Sequence, residues 1–363
     1  MTREEPPISA PAIVKSRPST QLAPLPSGRR APEDASPHPR QRRPRDPWFD
    51  NAKFLLVTLV VIGHSWTLLP SNWFHGAAYD FLYLWHVPAF VIVTGYLSRR
   101  FSWTKRDLRR LLTTVVVPYV VFEGLLALFR TVVGGEHLER VWLNPHWPMW
   151  YLAVLFLWRL ATPALRGLRH YALPVAVAVS LAGGWVGIEA FDLDRAFGLL
   201  PFFTLGVLAE QRHLEALRSH RARVLGIAAL AAALVTAFVL GGRIGNEWLY
   251  YRTAYAELGY DWLTGPLVRL GFLAAGTVLA LAFLTLVPTR RRWLSGLGAA
   301  SLVVYLGHGF FVLAAEYAGF EQCASAHPVL SWPLATVAAA LVSLALAWRP
   351  VAKRLDKVVT PVT

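Results

Sequence analysis

The stretch FDNAKFLLVTLVVIGHSW, residues 49–66, decides the fold class of this chain. After Lys53 it runs through ten uncharged, mostly apolar residues, as the core of a membrane-spanning helix does. His64 then places a titratable imidazole deep inside the run. Because ionisable groups within a span are costly and usually face an interior cavity, the stretch predicts both a membrane helix and a candidate functional residue.

The composition of the whole chain is typical of a membrane protein. Of its 363 residues, 55% are apolar and only 16% are charged, whereas soluble chains carry about 25% charged residues. The net charge is +14, but the basic residues lie between apolar runs rather than in one stripe, so we expect no nucleic-acid partner. The one cysteine, Cys323, excludes an internal disulfide, and no metal site is expected.

Ten apolar stretches are candidates for membrane spans, which need roughly 17–25 mostly apolar residues. They lie at about 51–69, 79–98, 111–133, 149–165, 171–190, 196–210, 223–242, 265–287, 297–318 and 329–348. Of the 36 Lys and Arg residues, thirty lie at the two chain ends or beside the connections after even-numbered spans, Arg159 among them, and four lie in the outer connections after odd-numbered spans, Arg195 among them. Because positive residues stay in the cytoplasm, the sequence predicts an all-α integral membrane protein with about ten transmembrane helices and both termini cytoplasmic.

The same pattern divides the chain into three segments. Residues 1–46 are rich in Pro, Ser and Arg and bury too little apolar surface to fold, so we expect a disordered cytoplasmic tail. Residues 47–350 form the membrane domain, and residues 351–363 form a basic cytoplasmic tail.

The first span has a polar stripe. Lys53 and His64 are separated by about three whole turns, so they share one helix face and lie roughly 16 Å apart along the axis. Asp50 precedes Lys53 by one turn and can pair with it. The stripe therefore predicts a charge pair at the cytoplasmic mouth and an imidazole near the middle of the membrane.

Three further ionisable side chains inside predicted spans are candidates for a polar site: His86, Glu123 and His308. Pro88 and Pro118 interrupt the hydrogen bonding of the helices that carry the first two. A carboxylate at that depth needs a partner, and we expect His64 or His86 to pair with Glu123. A single membrane histidine often only hydrogen-bonds a neighbouring helix, but the whole set favours a polar site.

Five segments, in chain order, resemble the acyltransferase-3 family of integral membrane acyltransferases, especially its fucose 4-O-acetylase-like branch. They are RDPWFDNAKFLLVTLVVIGH (45–64), FLYLWHVPAFVIVTGYLSRRF (81–101), KRDLRRLLTTVVVPYV (105–120), PMWYLAVLF (148–156) and LGAASLVVYLGHGFFV (297–312). The first has the family's basic residue, ten intervening residues and a histidine. Matching positions in the motifs include Asp50, His86, Trp150, Tyr305 and His308.

This resemblance implies an O-acyltransferase of a bacterial cytoplasmic membrane. It would move an acetyl group from cytoplasmic acetyl-CoA to a hydroxyl of a glycan or another exported or lipid-linked acceptor. Cations at the cytoplasmic face would bind the CoA phosphates, for which Arg forks are well suited; they are Lys53, Arg99, Arg100, Arg106, Arg109 and Arg110. His64 is the expected general base, with His86 and Glu123 orienting it or completing a relay.

Other interpretations stay open at this point. Buried His and Glu beside proline kinks also suit a proton-coupled transporter or exporter of a glycan or small metabolite, although the chain has no internal repeat. A membrane scaffold would tolerate replacement of the histidines. Spacing does not separate direct acyl transfer from transfer through an acetyl-histidine, and no residue is identified for the oxyanion.

Overall fold

The computed structural model describes residues 46–359 except 140, 188–189, 242 and 291–292. The predicted disordered tail therefore lies outside the described residues, apart from Asp46. Throughout the described ranges all regular structure is helical. The predicted C-terminal tail is itself largely helical, because the last helix spans Arg349–Val359.

Eighteen α-helices follow one another along the described chain. In the first part they are α1 (Pro47–Trp66), α2 (Trp73–Tyr83), α3 (His86–Ser98), α4 (Lys105–Leu111), α5 (Val117–Val132), α6 (Trp150–Leu168), α7 (Ala172–Gly183), α8 (Leu193–Gly198) and α9 (Leu200–Leu208). In the second part they are α10 (Gln211–Leu217), α11 (His220–Leu240), α12 (Asn246–Tyr250), α13 (Thr264–Leu286), α14 (Trp293–Leu297), α15 (Ser301–Tyr317), α16 (Phe320–Ala326), α17 (Pro328–Ala347) and α18 (Arg349–Val359).

Six helical segments of the described chain are long and apolar enough to cross a membrane. They are Trp73–Ser98, Lys105–Val132, His220–Leu240, Thr264–Leu286, Trp293–Tyr317 and Pro328–Ala347. Each coincides with a predicted span, so the protein is an all-helical, multi-pass membrane protein. The other four predicted spans fall on α1, α6, α7 and the α8–α9 pair, and the count of ten and the orientation stay predictions.

Helix α1 packs against α3, α14, α15 and α17. Its start is fixed by an N-cap, because the Asp46 carboxylate accepts a hydrogen bond from the Trp48 N–H (3.0 Å) and Pro47 occupies the first turn. The Asn51 amide donates to the carbonyls of Pro288 (2.8 Å) and Arg290 (3.2 Å). These bonds anchor α1 among its neighbours, with its polar stripe turned toward α15.

The predicted proline breaks lie in the second and third spans. The second span is two helices, since α2 ends at Tyr83 and α3 begins at His86 with Pro88 in its first turn. In the third span a π-helical turn, Leu112–Val116, immediately precedes the helix that contains Pro118. Such local departures from the α-helix are common at functional sites.

Helices α3 and α9 approach each other backbone to backbone. A Cβ built on Gly95 would lie 2.2 Å from the Phe203 carbonyl oxygen, and one built on Gly206 would lie 2.1 Å from that of Ile92. Small residues allow such contact between membrane helices, where apolar side chains gain little by leaving lipid. The two glycines therefore set the spacing of α3, which forms one wall of the site described next.

Candidate active site

Two histidines meet at the centre of the bundle. His64 of α1 and His308 of α15 are 244 positions apart, and their Nδ1 and Nε2 atoms lie 2.9 Å from each other. The rings are stacked, with centroids 5.1 Å apart and planes at 15°. His308 is fully buried, so this pair is an interior polar contact rather than a surface one.

The hydrogen bonds fix the tautomers of the neutral pair. His308 Nδ1 lies 2.6 Å from the Tyr305 carbonyl oxygen, which only accepts, so this nitrogen carries the proton. The Nε2 atom of His308 is then bare and accepts the proton of His64 Nδ1. The Nε2 atom of His64 therefore keeps a free lone pair that can accept a proton, while its Nδ1–H bond holds the ring in place. A general base needs this combination.

The connection between α5 and α6 covers the histidine pair. The Trp147 ring lies edge-on to His64 with centroids 4.4 Å apart. Glu123 Oε1 accepts a hydrogen bond from the His146 backbone N–H (2.9 Å), and the Tyr305 hydroxyl donates to the Pro148 carbonyl. One carboxylate and one phenol from two helices thus hold this cover in place.

The expected pairing of Glu123 with a histidine ring is therefore wrong. The Glu123 carboxylate bonds a backbone N–H, and the ring of His64 pairs with His308 instead. His86 donates from Nδ1 to the Leu82 carbonyl (2.8 Å), one turn earlier in the chain. Its ring also stands edge-on to Tyr83, with centroids 4.6 Å apart, and Tyr83 in turn packs on Gly63, next to His64.

A cavity of about 470 Å³ opens at the end of the bundle where α1 begins. We call this end the basic end and the cavity the basic cavity. Its cationic lining consists of Lys53, Arg100, Arg110 and Arg159. Three of these were predicted; Arg159, which donates to the Ser98 hydroxyl (3.3 Å), had been assigned only to the charge bias that orients the chain.

The predicted cations differ in their positions. Lys53 pairs with Asp50 (2.8 Å), as the stripe predicts. Arg99 lies over the Tyr96 ring at 3.4 Å and donates to the Tyr96 carbonyl, outside the lining of the basic cavity. Arg106 and Arg109 are exposed on α4 and do not line the cavity either.

Two tyrosines form the inner end of the basic cavity. The rings of Tyr151 and Tyr305 lie 5.8 Å apart between centroids, and both line the cavity. The hydroxyls of Tyr151 and Thr94 are hydrogen-bonded at 2.5 Å. Beyond Tyr305 lies the His308 ring, at a centroid distance of 5.9 Å. The tyrosines thus separate the basic cavity from the histidine pair.

The opposite end of the bundle contains a larger, acidic cavity of about 810 Å³. We call it the acidic cavity; its charged lining consists of Asp192, Asp194, Glu247, Glu257 and Arg252. Asn144 and Pro145 also line it, and they directly precede the residues that cover His64. The site thus has one chamber on each side of the histidine pair. In the part of the chain that is described, no cluster of three or more His, Cys, Asp or Glu side chains could hold a metal ion.

Arg195 is a second buried or cavity-lining arginine, after Arg159, that sequence reasoning did not assign to the site. It had been assigned to a connection on the outer side, yet only 8% of it is exposed. Its guanidinium lies 4.7 Å above the ring of Trp150, a motif residue at the start of α6. The signal in the sequence is an arginine directly before an apolar, proline-containing segment, RAFGLLPFF, but position alone does not show that it points inward.

Comparison with known proteins gives the family. The family model of an acyltransferase domain, acyltransferase-3, matches residues 46–348. Nodulation protein NolL of Sinorhizobium fredii (strain NBRC 101917 / NGR234) is 26% identical over 183 residues, which are 46% of this chain and 49% of that protein. The chain thus aligns with about half the length of this relative, and no solved structure matches it. With its five motifs, its helical membrane architecture and a family match across nearly the whole described chain, the protein belongs to the acyltransferase-3 family of membrane acyltransferases.

Proposed function

We propose that this protein transfers an acetyl group from acetyl-CoA, bound at the basic end, to a hydroxyl of a glycan or another exported or lipid-linked acceptor, bound at the acidic end. His64 is the general base. The protein would lie in a bacterial cytoplasmic membrane with the basic end and both termini in the cytoplasm, as the distribution of Lys and Arg indicates.

The observation that carries this proposal is the hydrogen bond between His64 and His308. It leaves His64 with a lone pair at Nε2 and a donor bond at Nδ1 that holds the ring in place. A sugar hydroxyl is far too weak an acid to ionise unaided, so a positioned base must take its proton as the oxygen attacks. Such a base contributes roughly 10²–10⁴ in rate.

The basic cavity suits the donor. Its four cations lie where the phosphates of CoA would be held, and Arg donates bidentate bonds that match phosphate oxygens. The inner end of the cavity is formed by Tyr151 and Tyr305, and the Tyr305 ring contacts His308 of the histidine pair. A thin pantetheine arm that passed these tyrosines would bring its thioester to His64.

The remaining predicted residues support the base in this proposal. Glu123 acts as a positioning residue, because it holds the backbone of the segment that places Trp147 against His64. His86 stands beside Tyr83 in the same wall and completes the polar lining. The acceptor would approach through the acidic cavity, whose lining ends at the covering segment.

The test uses the purified full-length protein in proteoliposomes with acetyl-CoA labelled in the acetyl group and cell-envelope glycans as acceptors. Native protein should label the glycan, His64→Gln should lose at least about a hundredfold in rate, and both should bind acetyl-CoA alike. His137→Gln, at an exposed position in the connection between α5 and α6, is the matched histidine control. Equal labelling by native and His64→Gln protein would remove His64 from catalysis.

A single-turnover experiment separates the two chemical routes. Without acceptor, label that stays on denatured protein would indicate an acetyl-histidine and contradict direct transfer. Glycan that crosses the membrane without acquiring label would instead support the transporter interpretation. Direct transfer predicts neither result, with label leaving CoA only when an acceptor is present.

A further inference from the structure

Arg195 is a buried cation for which the proposed chemistry has so far no use. Among the described arginines, two are buried: Arg195 with 8% exposed and Arg269 with 3% exposed. A buried charge is costly unless it is paired or used, since leaving water costs several kcal/mol per ion. The contacts of the two arginines differ, and the difference indicates what Arg195 does.

Arg269 has the contacts of a structural residue. Its guanidinium donates to the backbone carbonyls of Ser180 (3.2 Å) and Thr253 (3.1 Å) and lies 4.7 Å above the Tyr255 ring. These bonds join α13 to α7 and to the connection that follows α12. Both terminal nitrogens of its guanidinium are thus directed at fixed backbone acceptors.

Arg195 instead lies against two aromatic rings beside the candidate active site. Its guanidinium lies 4.7 Å from the Trp150 ring centre and 5.9 Å from that of Tyr250, and its Nε atom is 3.5 Å from Asp192 Oδ1. The Tyr250 ring contacts that of Tyr83, with centroids 5.6 Å apart, and Tyr83 packs on Gly63, the residue before His64. Aromatic faces leave the N–H groups of a guanidinium free to bind a third group.

The backbone before Arg195 is strained in a way that directs it inward. Phe191 and Asp192 both adopt left-handed conformations, with φ of 56° and 53°. Non-glycine residues there cost of order 1–3 kcal/mol each and persist where the surrounding structure imposes them, most often at functional sites. The Phe191 N–H donates to the Leu143 carbonyl (2.8 Å), which ties this turn to the segment that covers His64. On α6, the Trp158 indole donates to the Ala196 carbonyl (2.9 Å) and holds α8 in place.

We propose that Arg195 is the oxyanion-stabilising residue of this site, holding the thioester carbonyl oxygen as it becomes negative. The inference rests on the proposed acetyl transfer. The acceptor oxygen forms a bond to the carbonyl carbon while its proton moves to His64 Nε2, and the carbonyl π pair becomes an oxyanion beside the guanidinium. When the C=O bond re-forms, the C–S bond breaks, and the CoA thiolate takes the proton back from His64.

The position of Arg195 fits this role better than that of Lys53, the cation on the helix of His64. Lys53 lies roughly 16 Å along α1 from His64, at the donor's phosphate end. Arg195 lies beside Trp150 and Tyr250, and the Tyr250 ring contacts the Tyr83 ring that packs next to His64. A fixed positive charge in a water-poor site stabilises a developing oxyanion far more than it would in water.

The experiment compares two buried arginines with the same substitution. Native protein, Arg195→Met, Arg195→Lys and Arg269→Met are reconstituted at equal amounts of folded protein, and kcat, KM and the equilibrium Kd for acetyl-CoA are measured. Arg195→Met should lose about 10²–10³ in kcat, as for one oxyanion donor removed, with Kd for acetyl-CoA changed less than about threefold. Arg195→Lys should recover part of the loss, guanidinium ion should rescue Arg195→Met, and Arg269→Met should keep the kcat of native protein.

Each other outcome overturns the assignment. A full kcat in Arg195→Met would exclude an oxyanion role, and a loss confined to KM or Kd would make Arg195 a substrate-binding residue. An equal fall in kcat for Arg269→Met would show a general structural effect. If native protein and His64→Gln both transfer no acetyl group, the proposed function itself fails, and the role of Arg195 fails with it; transfer by native protein alone upholds the function whatever Arg195 does.

Discussion

Replacement of Gly206 by alanine tests the close contact between α3 and α9. The new Cβ would lie 2.1 Å from the Ile92 carbonyl oxygen, 2.8 Å from the Tyr96 nitrogen and 3.0 Å from the Gly95 Cα. All three atoms belong to the backbone of α3, so no side chain can turn away to relieve the clash. The helices must therefore separate.

The size of the effect follows from these distances. An ordinary contact of a Cβ begins at 3.4 Å, so the shift needed against the Ile92 oxygen is 3.4 − 2.1 = 1.3 Å. Overpacking in a well-packed interior costs about 1–3 kcal/mol, and a rigid backbone contact belongs at the upper end of that range. We expect Gly206→Ala to lower the free energy of unfolding by about 3 kcal/mol.

Thermal unfolding of the protein in detergent measures this change, and Gly271→Ala is the matched control. Gly271 lies within α13, and a Cβ there would have nothing within 4 Å. Alanine should stabilise that helix by about 0.5–1 kcal/mol because it loses less backbone entropy than glycine. The two variants must shift the unfolding midpoint in opposite directions; a midpoint for Gly206→Ala at or above that of native protein would refute the close-contact argument.

Two further predictions concern the two ends of the site. Arg159→Gln should raise the KM for acetyl-CoA about tenfold, because it loses one charge-assisted hydrogen bond of about 1.4 kcal/mol. Arg109→Gln, outside the basic cavity, should change the KM little. Equal KM values for the two variants in a steady-state assay would contradict the assignment of the basic cavity. Burial lowers the pKa of His146 to about 3 from its ordinary 6.5. As the pH falls below 6.5, the imidazole therefore takes up a proton in the unfolded chain before it does so in the folded protein. The stability that neutral His146 contributes above pH 6.5 is lost as the pH falls toward 3. Unfolding midpoints at about pH 7 and about pH 5, on either side of that ordinary value, should therefore differ less in His146→Gln than in native protein, and identical differences would exclude this contribution.

Sequence periodicity predicted the local features of the site well. The spacing of Lys53 and His64 on one helix face, and the pairing of Lys53 with Asp50, depend only on the geometry of a single helix. The interruptions near Pro88 and Pro118 follow from the missing N–H of proline. These are properties of short segments, and short segments are what a sequence specifies most directly.

The contacts between distant segments could not be predicted in the same way. His64 and His308 are 244 positions apart, and helical periodicity does not say which faces meet. Glu123 was expected to pair with an imidazole ring, but its carboxylate accepts a hydrogen bond from the His146 backbone N–H in the covering segment. Arg195 was assigned to an outer connection because charge counting treats every arginine outside an apolar run alike. In the structure it is buried, directly after a turn with two left-handed residues.

The two cavities share no lining residue among those described. Aromatic and imidazole rings fill the space between them: Tyr151, Tyr305, His308, His64 and Trp147. Such a layer of packed rings is an electrical insulator, because hydrated ions cannot cross it without losing their water. Under the proposed function, the cell keeps its ion gradients across this membrane while the acyl group passes from one side of the layer to the other.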